Sequence, residues 1–72
     1  MKLKELATKV FGENFDVGVK EIGIWEWDEK GHLKPIEPDY ADEILETHGE
    51  LEVEAWQLIH ADLLIVQFKE VK

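Results

Sequence analysis

The 72-residue sequence contains no serine, no cysteine and no arginine. Without cysteine there is no disulfide and no thiolate ligand for a metal. Without serine and cysteine, a covalent nucleophile would have to be Thr8, Thr47, Tyr40, a lysine or a carboxylate. Without arginine the chain cannot bind phosphate in the bidentate geometry of a guanidinium. These absences weigh against the common forms of nucleophilic catalysis and phosphate recognition.

Long apolar runs are also missing. No stretch approaches the roughly 20 apolar residues of a membrane span, and the opening MKLKELATKV lacks the apolar centre of a signal peptide. A chain of 72 residues has room for one domain, residues 1–72. We therefore expect a single small domain in a reducing compartment such as the cytoplasm, which fits the lack of cysteine.

Negative charge is concentrated in one part of the chain. Of 17 acidic residues, nine lie between Pro35 and Phe68, a range without lysine that we call the acidic segment. The other eight acids balance the eight lysines, so the acidic segment carries the whole net charge of -9. This charge repels nucleic acids and anionic lipids. We expect neither direct nucleic-acid binding nor membrane binding.

Two stretches have the periodicity of amphipathic helices. Leu3 to Phe11 has apolar residues at helical spacing and is followed by Gly12, which suits a helix end. Pro38 to His48 is the second predicted helix. Asp39 is its predicted N-cap and Asp42 its third residue, where the helix dipole favours a carboxylate.

The remaining segments have the alternation of strands. Phe15 to Asp28 reads as one long strand or two short ones, and Asp28-Glu29-Lys30-Gly31 as a hairpin turn with Gly31 at positive φ. This turn pairs Trp27 with Leu33 and Trp25 with Pro35, and Pro35 suggests an edge strand. We expect the face with the two tryptophans to pack in the core; the alternative is an exposed aromatic platform for a partner.

Glu50 to His60 and Asp62 to Val71 are the last two predicted strands. Alternation along the first of them places Glu50, Glu52 and Glu54 in one row, with Trp56 on the same face. Leu63 to Val66 is apolar on both faces, which is typical of a central strand. The sequence therefore predicts an α+β fold in the order α-β-β-α-β-β. Local hairpins would give a four-stranded antiparallel sheet with two helices on one face.

No pattern indicates catalysis, a metal or a cofactor. His32, His48 and His60 are isolated from one another and lack zinc-ligand spacing. The carboxylates are better explained as solvated faces than as an acid–base pair, and no glycine-rich phosphate loop is present. We therefore predict a protein that is not an enzyme, with no catalytic residue, metal site or cofactor.

The acidic segment supplies the candidate partner-binding residues. Two interpretations stay open: the acids keep the protein soluble, or they form a face that docks on a protein partner with a basic surface, such as a nucleic-acid-binding protein. A third hypothesis is a small structural or assembly protein that self-associates, for example as a homodimer, through a sheet edge or the tryptophan face. The candidate binding residues are Asp39, Asp42, Glu43, Glu46, Glu50, Glu52, Glu54 and Trp56.

Four features resemble small acidic accessory proteins of phages and mobile elements of Gram-positive bacteria. They are the opening MKLKEL, the hairpin WDEKGHL, the short helix DYADEIL and the closing LEVEAWQLIHADLLIVQF. Some proteins of this kind are anti-defence inhibitors, including anti-CRISPRs that occupy nucleic-acid channels. The resemblance implies a nucleic-acid mimic that inhibits a basic protein in the cytoplasm of a bacterial host cell, and it implies no catalytic residue.

Overall fold

A computed structural model describes residues 1–13 and 19–70. Over these residues the protein is α+β, with a four-stranded mixed sheet and two helices. The predicted strand residues Phe15 and Val17 lie outside the described ranges. The elements are α1 (Leu3–Phe11), β1 (Glu21–Trp27), β2 (Leu33–Tyr40), α2 (Ala41–His48), β3 (Val53–His60) and β4 (Leu63–Phe68).

The strands lie in the order β2-β1-β4-β3, and the two central strands, β1 and β4, are parallel. The prediction of a purely antiparallel sheet built from successive hairpins is therefore wrong. The two hairpins do form, but the chain between them crosses the sheet through α2, so that β4 lies beside β1 rather than β3 beside β2. This arrangement puts β4, which is apolar on both faces, at the centre of the sheet, as predicted for Leu63 to Val66.

The core lies between one face of the sheet and both helices. Ile22 and Ile24 of β1 and Leu64, Val66 and Phe68 of β4 are buried with residues of α1 and α2. From the helices come Leu3, Leu6, Ala7, Ala41 and Ile44.

The expectation that the two-tryptophan face packs in the core is wrong. Trp25 is 39% exposed, and it alternates with the buried Ile24, so its side chain lies on the face away from the helices. The helices cover the isoleucine face because Ile22 and Ile24 continue into the apolar face of β4, whereas Trp25 is flanked by Pro35 and Gln67.

The β1–β2 hairpin has the predicted register. Trp27 pairs with Leu33, Trp25 with Pro35, and Glu26 with Lys34. Gly31 has a φ of 79°, the positive value that the turn requires. The side chain of Asp28 accepts hydrogen bonds from the backbone N–H groups of Lys30 and His32, which fixes the turn.

The second helix begins three residues later than predicted. Pro38 to Tyr40 belong to β2, and Tyr40 pairs with Glu21 at the end of the ladder. Asp39 is therefore not the N-cap, and its carboxylate accepts a hydrogen bond from the N–H of Tyr40 instead. The N–H of Ala41, at the start of α2, donates to the carbonyl of Lys20. This backbone hydrogen bond satisfies an N–H group that has no partner within the helix.

We predict that Leu64→Ala lowers the free energy of unfolding by about 2–5 kcal/mol, because it leaves a cavity between the sheet and the helices. Leu51→Ala, at a side chain that is 41% exposed, is the matched control and should cost clearly less. Urea unfolding followed by tryptophan fluorescence measures both. Equal losses would contradict the assignment of this core.

Candidate protein-binding surfaces

Four carboxylates form a cluster at the start and along the outer side of α2. Asp42 and Glu43 are the second and third residues of α2, Glu46 lies one turn later, and Asp39 ends β2 just before the helix. All four residues are exposed. We call Asp39, Asp42, Glu43 and Glu46 the α2 acidic cluster. None of them makes an ion pair with another described residue.

Repulsion within this cluster acts on Glu43. Asp39 raises the pKa of Glu43 through a side-chain hydrogen bond and through its negative charge, and desolvation and then the charges of Asp42 and Glu46 raise it further. Two carboxylates that are both ionised cannot share a hydrogen bond, so the proximity favours a proton on the pair. The α2 acidic cluster is therefore a place where a cation from outside would relieve repulsion.

The carboxylate of Glu50, unlike those of the α2 acidic cluster, is paired with cations of the same chain. It lies in the turn between α2 and β3, not in β3, and its carboxylate is held by two lysines from the start of the chain. Lys2 Nζ is 2.8 Å from Oε2, and Lys4 Nζ contacts Oε1. The hydrogen bonds from Lys2 and then Lys4 lower the pKa of Glu50 to about 2.

The other two acids predicted to share a face with Glu50 are also separated. Glu52 lies in an isolated bridge with Lys2, and the α-amino group of Met1 is 2.8 Å from its carboxylate and lowers its pKa. Glu54 lies in β3, where the pairing shifts register between Val53 and Ala55. The expected single row of Glu50, Glu52 and Glu54 is wrong, because only Glu54 belongs to the strand and a bulge interrupts the alternation beside it.

A groove of about 670 Å³ lies at the end of the sheet where β1 and β4 finish. Trp27, Leu51 and Phe68 contribute its apolar surface, and the indole N–H of Trp27 donates to the carbonyl of Phe68 at 2.9 Å. Carboxylates and a single lysine form its polar part: Glu26, Asp28, Glu29, Glu50, Glu52, Glu70 and Lys69. Glu50 and Glu52 line this groove with their charge already balanced by lysines and the amino group.

Trp56 lies in β3, at the opposite edge of the sheet from β2, the strand that precedes α2. It pairs with the buried Val66, so it faces the helix side, and it is 52% exposed at the edge of the sheet. It lines a shallow cavity of about 410 Å³ with Leu58 and with residues of α1. The α2 helix, in contrast, contacts β1 and β2. The structure therefore does not bring Trp56 together with the α2 acids.

His48, at the end of α2, connects three parts of the molecule. Its ring stacks on Phe68 with centroids 5.8 Å apart, and Nε2 lies 3.5 Å from a carboxylate oxygen of Glu26. Thr47 Oγ1 lies 2.6 Å from Nδ1. Across residues 1–13 and 19–70, no three histidine or acidic side chains converge in a way that could hold a metal ion.

No protein-family model, curated protein or solved structure matches this chain. Within the described ranges, neither helix has the length and apolar character needed to cross a membrane.

Sequence reasoning missed the cations that serve Glu50 and Glu52. Lys2 and Lys4 are 48 and 46 residues away from Glu50 in the chain, so no local pattern could pair them. The backbone makes the pairing: the N–H of Leu3 donates to Leu51 and that of Lys4 to Gly49.

We predict that Glu50→Gln makes stability less sensitive to acid. Because the folded-state pKa lies below the ordinary 4.5, the ion pairs contribute stability above pH 4.5, and this contribution is lost as pH falls toward 2. Thermal unfolding at several pH values between 2 and 7 measures this difference. The melting temperature of the variant should fall less steeply toward low pH than that of the unmodified protein.

Glu54→Gln is the matched control, since it removes the same charge from an exposed position that has no ion pair among the described residues. The melting temperature of this variant should change with pH as that of the unmodified protein does. An identical profile for Glu50→Gln would contradict the role of Lys2 and Lys4.

We predict the opposite sign for Glu43. A raised folded-state pKa means that the fold favours the protonated group, and that advantage is lost as pH rises through this pKa. Glu43→Gln should therefore raise the melting temperature at pH 7 and have little effect at pH 3. A lower melting temperature at pH 7 would show that the α2 acidic cluster is not under repulsion.

Proposed function

We propose that the protein is a non-enzymatic binding module that docks the α2 acidic cluster on a basic surface of another protein. The observation that carries the proposal is the contrast between two groups of acids. Glu50 and Glu52 are neutralised within the molecule, whereas the α2 acids repel one another and have no cation among the described residues.

A basic partner would supply what the α2 acidic cluster lacks. Lysine or arginine side chains placed between Asp39, Asp42, Glu43 and Glu46 would relieve the repulsion that raises the pKa of Glu43. Attraction between oppositely charged surfaces also speeds encounter and rejects partners of the same charge. Strong dependence of binding on salt follows, because these carboxylates are exposed.

Of the candidate binding residues, the proposal now gives the main role to the four acids of α2. Glu50 and Glu52 would have to break existing ion pairs before they met a partner. Glu54 and Trp56 belong to a different surface, at the outer edge of β3.

The class of partner stays a prediction from the sequence. The resemblance to small acidic phage proteins favours a basic nucleic-acid-binding protein of a bacterial cell, which the α2 acidic cluster would inhibit as a nucleic-acid mimic. A short helix with carboxylates in its first turn is also found in many proteins that use it only for solubility. The binding experiment separates these interpretations.

We predict that changing the α2 acidic cluster to its amides weakens binding at least tenfold. The tagged protein is used to capture a partner from a bacterial extract at about 50 mM salt. The captured protein is identified and purified, and its affinity is then measured by titration calorimetry. Asp39→Asn, Asp42→Asn, Glu43→Gln and Glu46→Gln are combined in one variant, which should also lose most of the salt dependence.

The control variant combines Glu5→Gln, Glu13→Gln, Glu29→Gln and Glu54→Gln, which removes the same net charge from other exposed positions. Its affinity should stay within a few-fold of the unmodified protein. If the two variants weaken binding equally, overall charge rather than the α2 acidic cluster is responsible. If neither does, or if affinity is unchanged between 50 and 500 mM salt, the proposal is wrong.

A further inference from the structure

The groove of about 670 Å³ at the end of the sheet is bounded by segments that hydrogen bonds hold in place. The carboxylate of Asp28 fixes the β1–β2 turn by accepting hydrogen bonds from two backbone N–H groups. In the turn after α2, the carbonyl of Glu52 accepts a hydrogen bond of 3.0 Å from the N–H of Lys69. The indole of Trp27 is tied to the carbonyl of Phe68. A ligand would therefore meet a site that is already formed, which lowers the entropic cost of binding.

Part of the groove is apolar. Leu51 is 41% exposed and lines the groove together with the half-buried Trp27. The third apolar residue of the lining, Phe68, is buried. The volume of the groove lies in the range of pockets that hold small ligands. The groove therefore offers apolar contact to a side chain of a ligand, which a surface made only of carboxylates does not.

The groove also keeps an excess of negative charge after the ion pairs inside the molecule are considered. Of its six carboxylates, those of Glu50 and Glu52 already have cations. Glu29 and Glu70 are exposed and make no ion pair with another described residue. Among the described residues, Lys69 is the one lysine that lines the groove. Charge complementarity thus calls for a ligand with more than one positive charge.

The start of the chain shows which kind of segment binds to the turn after α2. Lys2 and Lys4 contact the carboxylate of Glu50, and Leu3 between them is fully buried. The N–H of Leu3 donates to the carbonyl of Leu51 at 3.0 Å. A segment in which lysine alternates with an apolar residue is therefore bound here by charge, burial and backbone together. Glu50 and Leu51 of the same turn also line the groove.

We propose that the groove binds a peptide segment of another protein in which lysine or arginine alternates with apolar residues. The apolar side chain packs on Leu51 and Trp27, and the flanking cations pair with Glu29 and Glu70. Such a segment matches both parts of the groove. A polyamine leaves the apolar part uncovered, and an uncharged peptide leaves the carboxylates unpaired. The α2 acidic cluster has no role in this contact, so either proposal can fail while the other holds.

The probe for this proposal is the pentapeptide acetyl-Lys-Leu-Lys-Leu-Lys-amide, titrated into the whole protein at about 150 mM salt. Two-dimensional NMR should show shifts of the indole N–H of Trp27 and of the methyl groups of Leu51. The indole N–H of Trp56, in β3, should not shift. Replacing the leucines of the probe by glycine, or its lysines by glutamine, should weaken binding at least about tenfold, because each change removes one kind of contact.

Variants of the protein test the two parts of the groove separately. Leu51→Ala should weaken binding of the probe at least about tenfold, because it removes the exposed apolar contact. Leu58→Ala, at a side chain of β3 that is 40% exposed, is the matched control and should leave the affinity within a few-fold.

Glu29→Gln combined with Glu70→Gln tests the charged part of the groove and should also weaken binding of the probe. Its control combines Glu13→Gln with Glu54→Gln, which removes the same charge from other exposed positions and should have a smaller effect. The amide variant of the α2 acidic cluster should bind the probe within a few-fold of the unmodified protein.

Absence of any shift up to about 1 mM probe would overturn the proposal. Equal weakening by the two double variants would overturn it as well, because net charge alone would then explain the binding. Equal affinity for the leucine and glycine peptides would show that the groove binds polycations and has no apolar contact with the ligand. A loss in the amide variant of the α2 acidic cluster as large as that in the groove variants would place the probe on α2 instead.

Discussion

The structure depends on how the chain balances a segment that has many carboxylates and no lysine. Lys2 and Lys4 meet Glu50, and the α-amino group of Met1 meets Glu52. Backbone hydrogen bonds from Leu3 and Lys4 to the turn after α2 hold these cations in place. The same contacts attach the start of α1 to the segment that leads into β3. They thereby hold α1 over the core. Charge neutralisation and helix placement are therefore achieved by one set of contacts.

What remains after this pairing is a localised excess of negative charge. The α2 acidic cluster receives no cation from the described residues, and it raises the pKa of Glu43 through repulsion. Repulsion of this kind lowers the stability of the folded protein. A gain in solubility or in partner binding would compensate for that loss. The β3 edge is a second surface of different chemistry, apolar and uncharged from Ala55 to Ile59. A small domain thus presents two distinct surfaces on opposite halves of its sheet.

The sequence predicted those features that depend on neighbouring residues. The bounds of α1, the register of the β1–β2 hairpin and the positive φ of Gly31 follow from helical spacing and turn chemistry. Features set by distant residues could not be predicted in the same way. Asp39 looks like an N-cap, yet pairing of Tyr40 with Glu21 extends β2 through it. β4 pairs in parallel with β1, a long-range contact that the rule of local hairpins does not predict.

The candidate site also combines features set by neighbouring residues with features set by distant ones. That α2 carries exposed acids follows from helical periodicity, and all four of them are exposed. That Glu50 and Glu52 are neutralised depends on residues more than 40 positions away, which no local pattern reveals. Trp56 was grouped with the strand acids by simple alternation, and the bulge between Val53 and Ala55 invalidates that grouping. Its place on the helix side follows only from its pairing with Val66.

The central claim is that the structure divides the acidic segment into neutralised and unneutralised carboxylates. Titration of the glutamate side chains by carbon-detected NMR tests this claim directly, residue by residue. We expect the carboxyl group of Glu50 to titrate with a pKa of about 2 and that of Glu43 to titrate above its ordinary value of 4.5. If both groups titrate together near 4.5, the acids of the segment are equivalent, and the account of the fold and of its binding surface is wrong.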